Sequence, residues 1–268
     1  MTQLQEFAEG KLIAASRDGI GTLTFHNESR KNAITAAMWR AIPKALHYLV
    51  VEAKARVVIL AGAGAHDFSA GADISEFATV RKDAETARTY ELENSAAFRA
   101  IRACRVPTIA AIRGICYGGG FGVAAACDLR LADESARFAV PPARLGLAYP
   151  ADAVRDIFVA LGNQMTRKML YTGQPVTARE LEAPGFLLQV TPDSATLEAE
   201  IFALAETIAA NAPISIAASK LSIRAVTEND DVLLSEAEVL GASTFNSADY
   251  AEGRAAFAER RKPVFKGE

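Results

Sequence analysis

The sequence predicts an α/β protein with parallel strands and a helical C-terminal region, on three observations. Short β-branched runs such as Val57-Val58-Ile59-Leu60-Ala61 alternate with longer stretches of helical periodicity. Glycine-rich loops follow two of these runs, at Gly62 to Gly71 and at Gly114 to Gly120. From about Thr196 onward the strand signals vanish, and alanine-rich, charged segments at helical spacing run nearly to the end. At 268 residues the chain suits one large core, residues 1–195, followed by a helical appendage, residues 196–268.

Taken in order, Leu12–Ala15 and Thr22–Phe25 flank the turn signal Asp18-Gly19 and read as a hairpin. A loop from His26 to Asn32 leads to a helix that Thr35 caps, with Met38, Ile42, Leu46 and Leu49 along one face and Pro43 as a kink point. The Val57–Ala61 run is a buried strand. Beyond the first glycine-rich loop come a polar helix, Ala84–Arg102, and a second buried strand, Val106–Ile112. The second glycine-rich loop opens a short helix of small residues, and the strand Asp128–Ala132 closes the pattern.

Composition excludes several classes. Half of the residues are hydrophobic and 23% are charged, as in an ordinary globular chain and unlike a disordered or collagen-like one. A net charge of −3, from 29 basic and 32 acidic residues, provides no field for nucleic acid or an anionic membrane. No apolar stretch approaches the roughly 20 residues of a membrane span. The start, Met1-Thr2-Gln3-Leu4-Gln5-Glu6, lacks the basic and apolar segments of a secretory leader. Cys104, Cys116 and Cys127 are odd in number and form no Cys-x-x-Cys pair, which argues against a disulfide framework and a thiolate metal site. A cytoplasmic protein with no metal is expected.

The chemistry is expected where strands end in glycine-rich loops that open helices, because the first N–H groups of a helix have no internal partner and carry the positive end of its dipole. The two loops are Phe68-Ser69-Ala70-Gly71-Ala72-Asp73-Ile74 and Tyr117-Gly118-Gly119-Gly120-Phe121-Gly122. Facing each other, they would bind one oxyanion. Gly120-Phe121-Gly122-Val123-Ala124-Ala125 matches the spacing of a dinucleotide fingerprint, but it does not directly follow its strand. No Walker-type phosphate loop and no G-x-S-x-G nucleophile elbow occur.

These two loops, together with the ending Asp249-Tyr250-Ala251-Glu252-Gly253…Phe257…Arg260-Arg261-Lys262-Pro263…Phe265, resemble the crotonase (enoyl-CoA hydratase/isomerase) superfamily over nearly the whole chain. The resemblance implies a spiral of ββα units, a helical C-terminal trimerisation region, and assembly as a homotrimer or a dimer of trimers. It implies an acyl-CoA substrate whose thioester oxygen accepts hydrogen bonds from the N–H groups of Ala72 and Gly119, with Ala70, Asp73 and Ile74 in the same binding loop. No cofactor is implied beyond the coenzyme A of the substrate. Arg30-Lys31 resemble the segment along the nucleotide portion, and Arg260, Arg261 and Lys262 resemble a basic cluster that reaches coenzyme A. As lone positions each also fits a solvated charge.

The family's hydratases use two glutamates, one to activate water and one to protonate the α-carbon. Aligned by motif, these positions fall at Gly122 and Pro142, and neither carries a carboxylate. Tyr149 stands nearby in Leu145-Gly146-Leu147-Ala148-Tyr149, a segment that resembles the superfamily's methylmalonyl-CoA decarboxylase, where a tyrosine contacts the acyl end. That enzyme has a histidine where this chain has Ala72. Asp152 lies in the segment where some family isomerases place an acid, but at the N-terminal end of a helix, Ala153–Leu161, where a carboxylate simply favours the dipole. Glu76 is expected at the solvent edge of the first loop, Asp73 as a structural residue fixing that loop, and His26, His47 and His66 have no expected catalytic role. Three readings follow: a hydratase/isomerase variant using other groups, a decarboxylase using Tyr149, and a silent acyl-CoA-binding scaffold.

Overall fold

The computed structural model describes residues 2–268. Its strands are β1 (Gln3–Phe7), β2 (Leu12–Arg17), β3 (Ile20–Phe25), β4 (Val57–Gly62), β5 (Thr108–Ile112), β6 (Ile115–Tyr117), β7 (Leu129–Asp133), β8 (Arg137–Ala139), β9 (Val176–Thr177) and β10 (Gln189–Thr191). Its helices are α1 (Ala36–His47), α2 (Phe77–Val80), α3 (Ala84–Arg102), α4 (Gly119–Ala126), α5 (Ala151–Leu161), α6 (Asn163–Thr172), α7 (Ala178–Glu182), α8 (Ser194–Ala210), α9 (Pro213–Glu228), α10 (Asp231–Ser243) and α11 (Ala248–Glu259). No single helix among the described residues is long and apolar enough to cross a membrane.

The expected α/β architecture is present. A seven-stranded sheet runs β1-β2-β3-β4-β5-β7-β10, antiparallel through β3 and parallel from β3 onward. A second sheet of three strands runs β6-β8-β9, and β6 leads directly into the second glycine-rich loop. The β2–β3 hairpin turns on Asp18 and Gly19, both left-handed at φ 53° and 81°, the pair of positive angles a tight two-residue hairpin needs. Thr35 caps α1 by accepting the Met38 N–H at 3.3 Å. The helix continues through Pro43 and ends in a π-type turn, Tyr48–Glu52. The sequence reading missed β1, whose residues are mostly exposed and show no apolar alternation, and the short strands β6 and β8–β10, which lie below the length that periodicity resolves.

The central strands are buried on both faces, which explains their unbroken apolar runs. In β4, Val58 and Leu60 point into the main core with Trp39, Phe98 and Phe121 from α1, α3 and α4. Val57 and Ile59 point the other way, toward Leu197, Ile201 and Ala205 of α8, with Ile109, Ala111 and Leu131 beside them. α8 is therefore a layer on the sheet, while α9 packs against α10 and reaches the core through its own charged side chains.

Charged contacts join α9 to the core. Lys220 Nζ lies 2.6 Å from Asp128 Oδ2 and donates to the Val106 carbonyl at 3.0 Å, while the same carboxylate oxygen accepts the Thr108 N–H at 2.7 Å. Glu228 of α9 meets Arg102 of α3 at 3.2 Å and Arg155 of α5 at 2.9 Å. Asp128→Asn leaves Lys220 without its counter-charge in a mostly dry setting. We expect a loss of about 2 kcal/mol in urea unfolding, below the roughly 3–5 of a fully buried pair because Asp128 is partly exposed; an unchanged midpoint would show that α9 does not depend on this contact.

Candidate active site

The first glycine-rich loop is tied down by its own backbone. Buried Ser69 donates through Oγ to the Asn32 carbonyl at 2.8 Å and accepts the Gly71 N–H at 3.1 Å. Ile34 uses both of its backbone groups on the loop, donating to Gly71 O at 2.7 Å and accepting from Asp73 N at 3.0 Å. In this parallel bridge the residue between them, Ala72, turns its own N–H away from Ile34. Asp73 accepts from the N–H and hydroxyl of Ser75 at 3.0 and 2.6 Å, holding the turn.

The second loop crosses directly against the first. Gly118 adopts φ 50° and ψ −117°, a combination open to glycine, and Gly119 begins α4. Gly71, at φ +93°, has no room for a side chain, because a Cβ there would lie 2.6 Å from the Tyr117 carbonyl oxygen and 3.0 Å from Gly119 N. A Cβ on Gly119 would lie 2.8 Å from the Trp39 ring and 3.5 Å from Ala72 N. The N–H groups of Ala72 and Gly119 are thus neighbours on two half-buried residues, and neither donates to another group among the described residues. The crossing thus leaves two unpaired backbone donors side by side at the N-terminus of α4. The glycines of the apparent dinucleotide fingerprint lie inside α4 instead, where a Cβ on Gly120 would strike Ser69.

Tyr149 reaches this site from the segment before α5. Its O–H donates to the Gly118 carbonyl at 2.9 Å. A Cβ on Gly122 would lie 2.5 Å from the phenol oxygen and 2.7 Å from the Phe98 ring, so Tyr149 and Phe98 fill the volume in front of Gly122. Burial, reinforced by Cys116 and Asp156, pushes the phenol far above its ordinary value and keeps it protonated. Asp152 lies in the first turn of α5 and accepts from Ser95 Oγ of α3 at 3.0 Å and from Ala153 N at 2.9 Å. Glu76 is not simply at the solvent edge, as the sequence suggested: its Oε2 accepts the Ala36 N–H at 2.7 Å, because the unpaired first turn of α1 faces it. Pro142 opens a short turn, Pro142–Leu145.

The basic candidates surround the first loop and the tail. The Lys31 carbonyl accepts the Ala70 N–H at 2.9 Å, which sets the exposed Arg30-Lys31 pair beside the first loop. Ile74 is 69% exposed at the loop's outer side. Arg261 is occupied by Glu252 and Glu259, while Lys262 is exposed beyond the end of α11. His26 contacts the Gly10 carbonyl through Nδ1, and His47 and His66 are exposed.

Sequence reasoning missed the wall behind the donors. Tyr90, Asn94 and Phe98 form one buried stripe of α3 at four-residue spacing. Trp39 packs edge-on against Phe98 and donates its indole N–H to Tyr90 Oη at 3.1 Å. Asn94 Oδ1 is buried there without a partner. Polar residues on the outer side of α3 obscured this stripe; its spacing was the available signal.

The family described as enoyl-CoA hydratase/isomerase matches residues 15–268. A 2,3-dehydroadipyl-CoA hydratase of Escherichia coli is 28% identical, over 96% of this chain and 99% of that protein. Among solved structures, an enoyl-CoA hydratase/carnithine racemase from Magnetospirillum magneticum superposes with a TM-score of 0.90 at 36% identity, covering 98% of this chain and 97% of that one. An enoyl-CoA hydratase from Bacillus anthracis gives 0.88 at 29% identity, covering 96% and 100%. The chain belongs to the enoyl-CoA hydratase/isomerase family of the crotonase superfamily, and its fold is that of the superfamily.

Two predictions follow from the packing. Gly71→Ala forces a Cβ into the Tyr117 carbonyl at a positive φ, and we expect a loss of about 1–3 kcal/mol in thermal or urea unfolding; a neutral variant would mean that the two loops can move apart freely. Burial also raises Tyr90 and Cys127 to about 12 each, and Tyr149 higher still. These folded values lie above the unfolded ones, so the neutral groups contribute their full stability below about pH 8 and lose it as pH rises through the folded values. The urea midpoint should hold steady to about pH 8 and fall steadily above about pH 9; a flat profile to pH 11 would contradict the assigned burial.

Proposed function

We propose that this protein processes acyl-CoA thioesters by stabilising a thioester enolate, with the substrate carbonyl oxygen held by the N–H groups of Ala72 and Gly119. The observation that carries the reading is the pair of adjacent, unpartnered backbone donors at the crossing of the two loops. Donors already fixed in place need no reorganisation as charge grows on the oxygen, and each contributes a few kcal/mol to the transition state. Arg30, Lys31 and Lys262 are the cations offered to the phosphates of coenzyme A. The chemistry needs no group beyond the coenzyme A of the substrate itself.

Decarboxylation is the reaction most compatible with the surrounding side chains. Hydration asks for carboxylates to activate water and to protonate the α-carbon, and positions 122 and 142 are glycine and proline. Asp152 and Glu76 are engaged in helix-terminal hydrogen bonds. Loss of CO2 from a malonyl-type thioester requires no base: the carbon–carbon bond breaks, its electron pair becomes the enolate in the donor pair, and the α-carbon then takes a proton from water. Tyr149 and Phe98 in front of Gly122 offer a largely apolar wall that favours departure of a neutral molecule over a charged carboxylate.

The assembly belongs to the same proposal. Ile223, Val226, Val232, Val239, Phe245 and Phe257 of the C-terminal helices are between 66% and 87% exposed. Such a surface fits burial in a homotrimer or a dimer of trimers. Three buried free cysteines agree with work in a reducing compartment.

The test is a parallel assay with methylmalonyl-CoA and crotonyl-CoA, following CO2 release and loss of enoyl absorbance, with binding measured by calorimetry and mass by light scattering. We expect binding of both thioesters, turnover of methylmalonyl-CoA far above that of crotonyl-CoA, and a trimeric or hexameric mass. Fast hydration of crotonyl-CoA would replace decarboxylation with hydratase chemistry. Binding of both without any turnover would favour an acyl-CoA-binding scaffold, and failure to bind either would sink the whole proposal.

A further inference from the structure

The hydrogen bond of Tyr149 falls on an informative atom. The Gly118 carbonyl and the Gly119 N–H belong to one peptide unit, and a trans peptide directs them oppositely. The N–H side faces Ala72 and the oxyanion position, while the C=O side faces into α4, where it accepts the Gly122 N–H at 3.1 Å and the Tyr149 O–H at 2.9 Å. A peptide whose oxygen accepts hydrogen bonds becomes a stronger donor through its nitrogen, because withdrawal of electron density at oxygen increases the positive charge on N–H. The Gly118 carbonyl carries two such bonds, one from the Gly122 N–H and one from the partly buried Tyr149 phenol.

We propose that Tyr149 is a positioning residue for the oxyanion hole, which orients and polarises the Gly118–Gly119 peptide from behind so that Gly119 N–H is a stronger donor to the thioester oxygen. This inference rests on the reading that Ala72 and Gly119 hold that oxygen. It differs from a role in proton delivery, because the phenol proton is committed to the Gly118 carbonyl. It also gives the missing carboxylate at position 122 a positive reason. Any Cβ at that position would lie 2.5 Å from the phenol oxygen, so glycine is the residue that lets Tyr149 reach the carbonyl. Gly118, in its glycine-only conformation, leaves the peptide free of side-chain constraint, and the phenol supplies the missing restraint.

The experiment reads the polarisation directly, with cinnamoyl-CoA as a bound chromophore whose absorption moves to longer wavelength as its thioester oxygen is polarised. The wild-type protein should show a red shift on binding. Tyr149→Phe should lose at least half of that shift, with Kd changed by less than about threefold and kcat for the protein's best thioester substrate reduced about fivefold, as for one lost hydrogen bond. Placing 3-fluorotyrosine at position 149, a more acidic phenol of nearly the same shape, should enlarge the shift; this arm stands even if Tyr149→Phe fails to fold. A wild-type red shift that is unaltered in either folded variant overturns the proposal, even where turnover falls. Binding to the wild-type protein without any red shift overturns the oxyanion reading itself and this proposal with it, and so separates the two failures.

Discussion

The close crossing of the Gly71-Ala72 and Gly118-Gly119 backbones is the constraint around which the site is arranged. Two N–H groups from segments nearly fifty residues apart come together only if neither segment carries a side chain at the point of contact. That requirement spreads outward. Ser69 must be small and buried to hold the first loop, Ile34 must give both backbone groups to it, and Trp39 must close against the bare face of Gly119. The adjacent parallel strands β4 and β5 supply the frame, since the first loop follows β4 and the second follows β5 by way of β6.

Side chains around this crossing divide into a few roles. Carboxylates near the loops stabilise helix starts and turns: Glu76 on α1, Asp152 on α5, Asp73 on its own turn. Tyr149 and Phe98 fill the space that glycine leaves at position 122. The result is a site rich in oriented backbone dipoles and poor in free acids.

Much of this was legible in the chain. The β-branched run of β4, the cap at Thr35 and the turn at Asp18-Gly19 are local signals, and the local structure follows them. The two glycine-rich loops were visible as residue type and spacing, and the structure shows that they cross where a side chain would not fit. The inner stripe of α3 was not legible, because Tyr90, Asn94 and Phe98 are embedded among charged residues and their importance depends on what α1 and α4 place opposite them. Glu76 was misplaced for a similar reason, since its partner, Ala36, is forty residues away.

The sequence by itself determined the α/β class, the two glycine loops, the family resemblance and the absence of glutamate at positions 122 and 142, because each is a matter of residue type and spacing along the chain. Only the tertiary structure decided that the Ala72 and Gly119 N–H groups are adjacent and unpaired, that α8 covers the second face of the sheet, and that the Tyr149 hydroxyl ends on the Gly118 carbonyl. These are relations between atoms brought together by folding. A hydrogen bond is set by distance and direction in space, and neither is encoded in the local pattern of one segment.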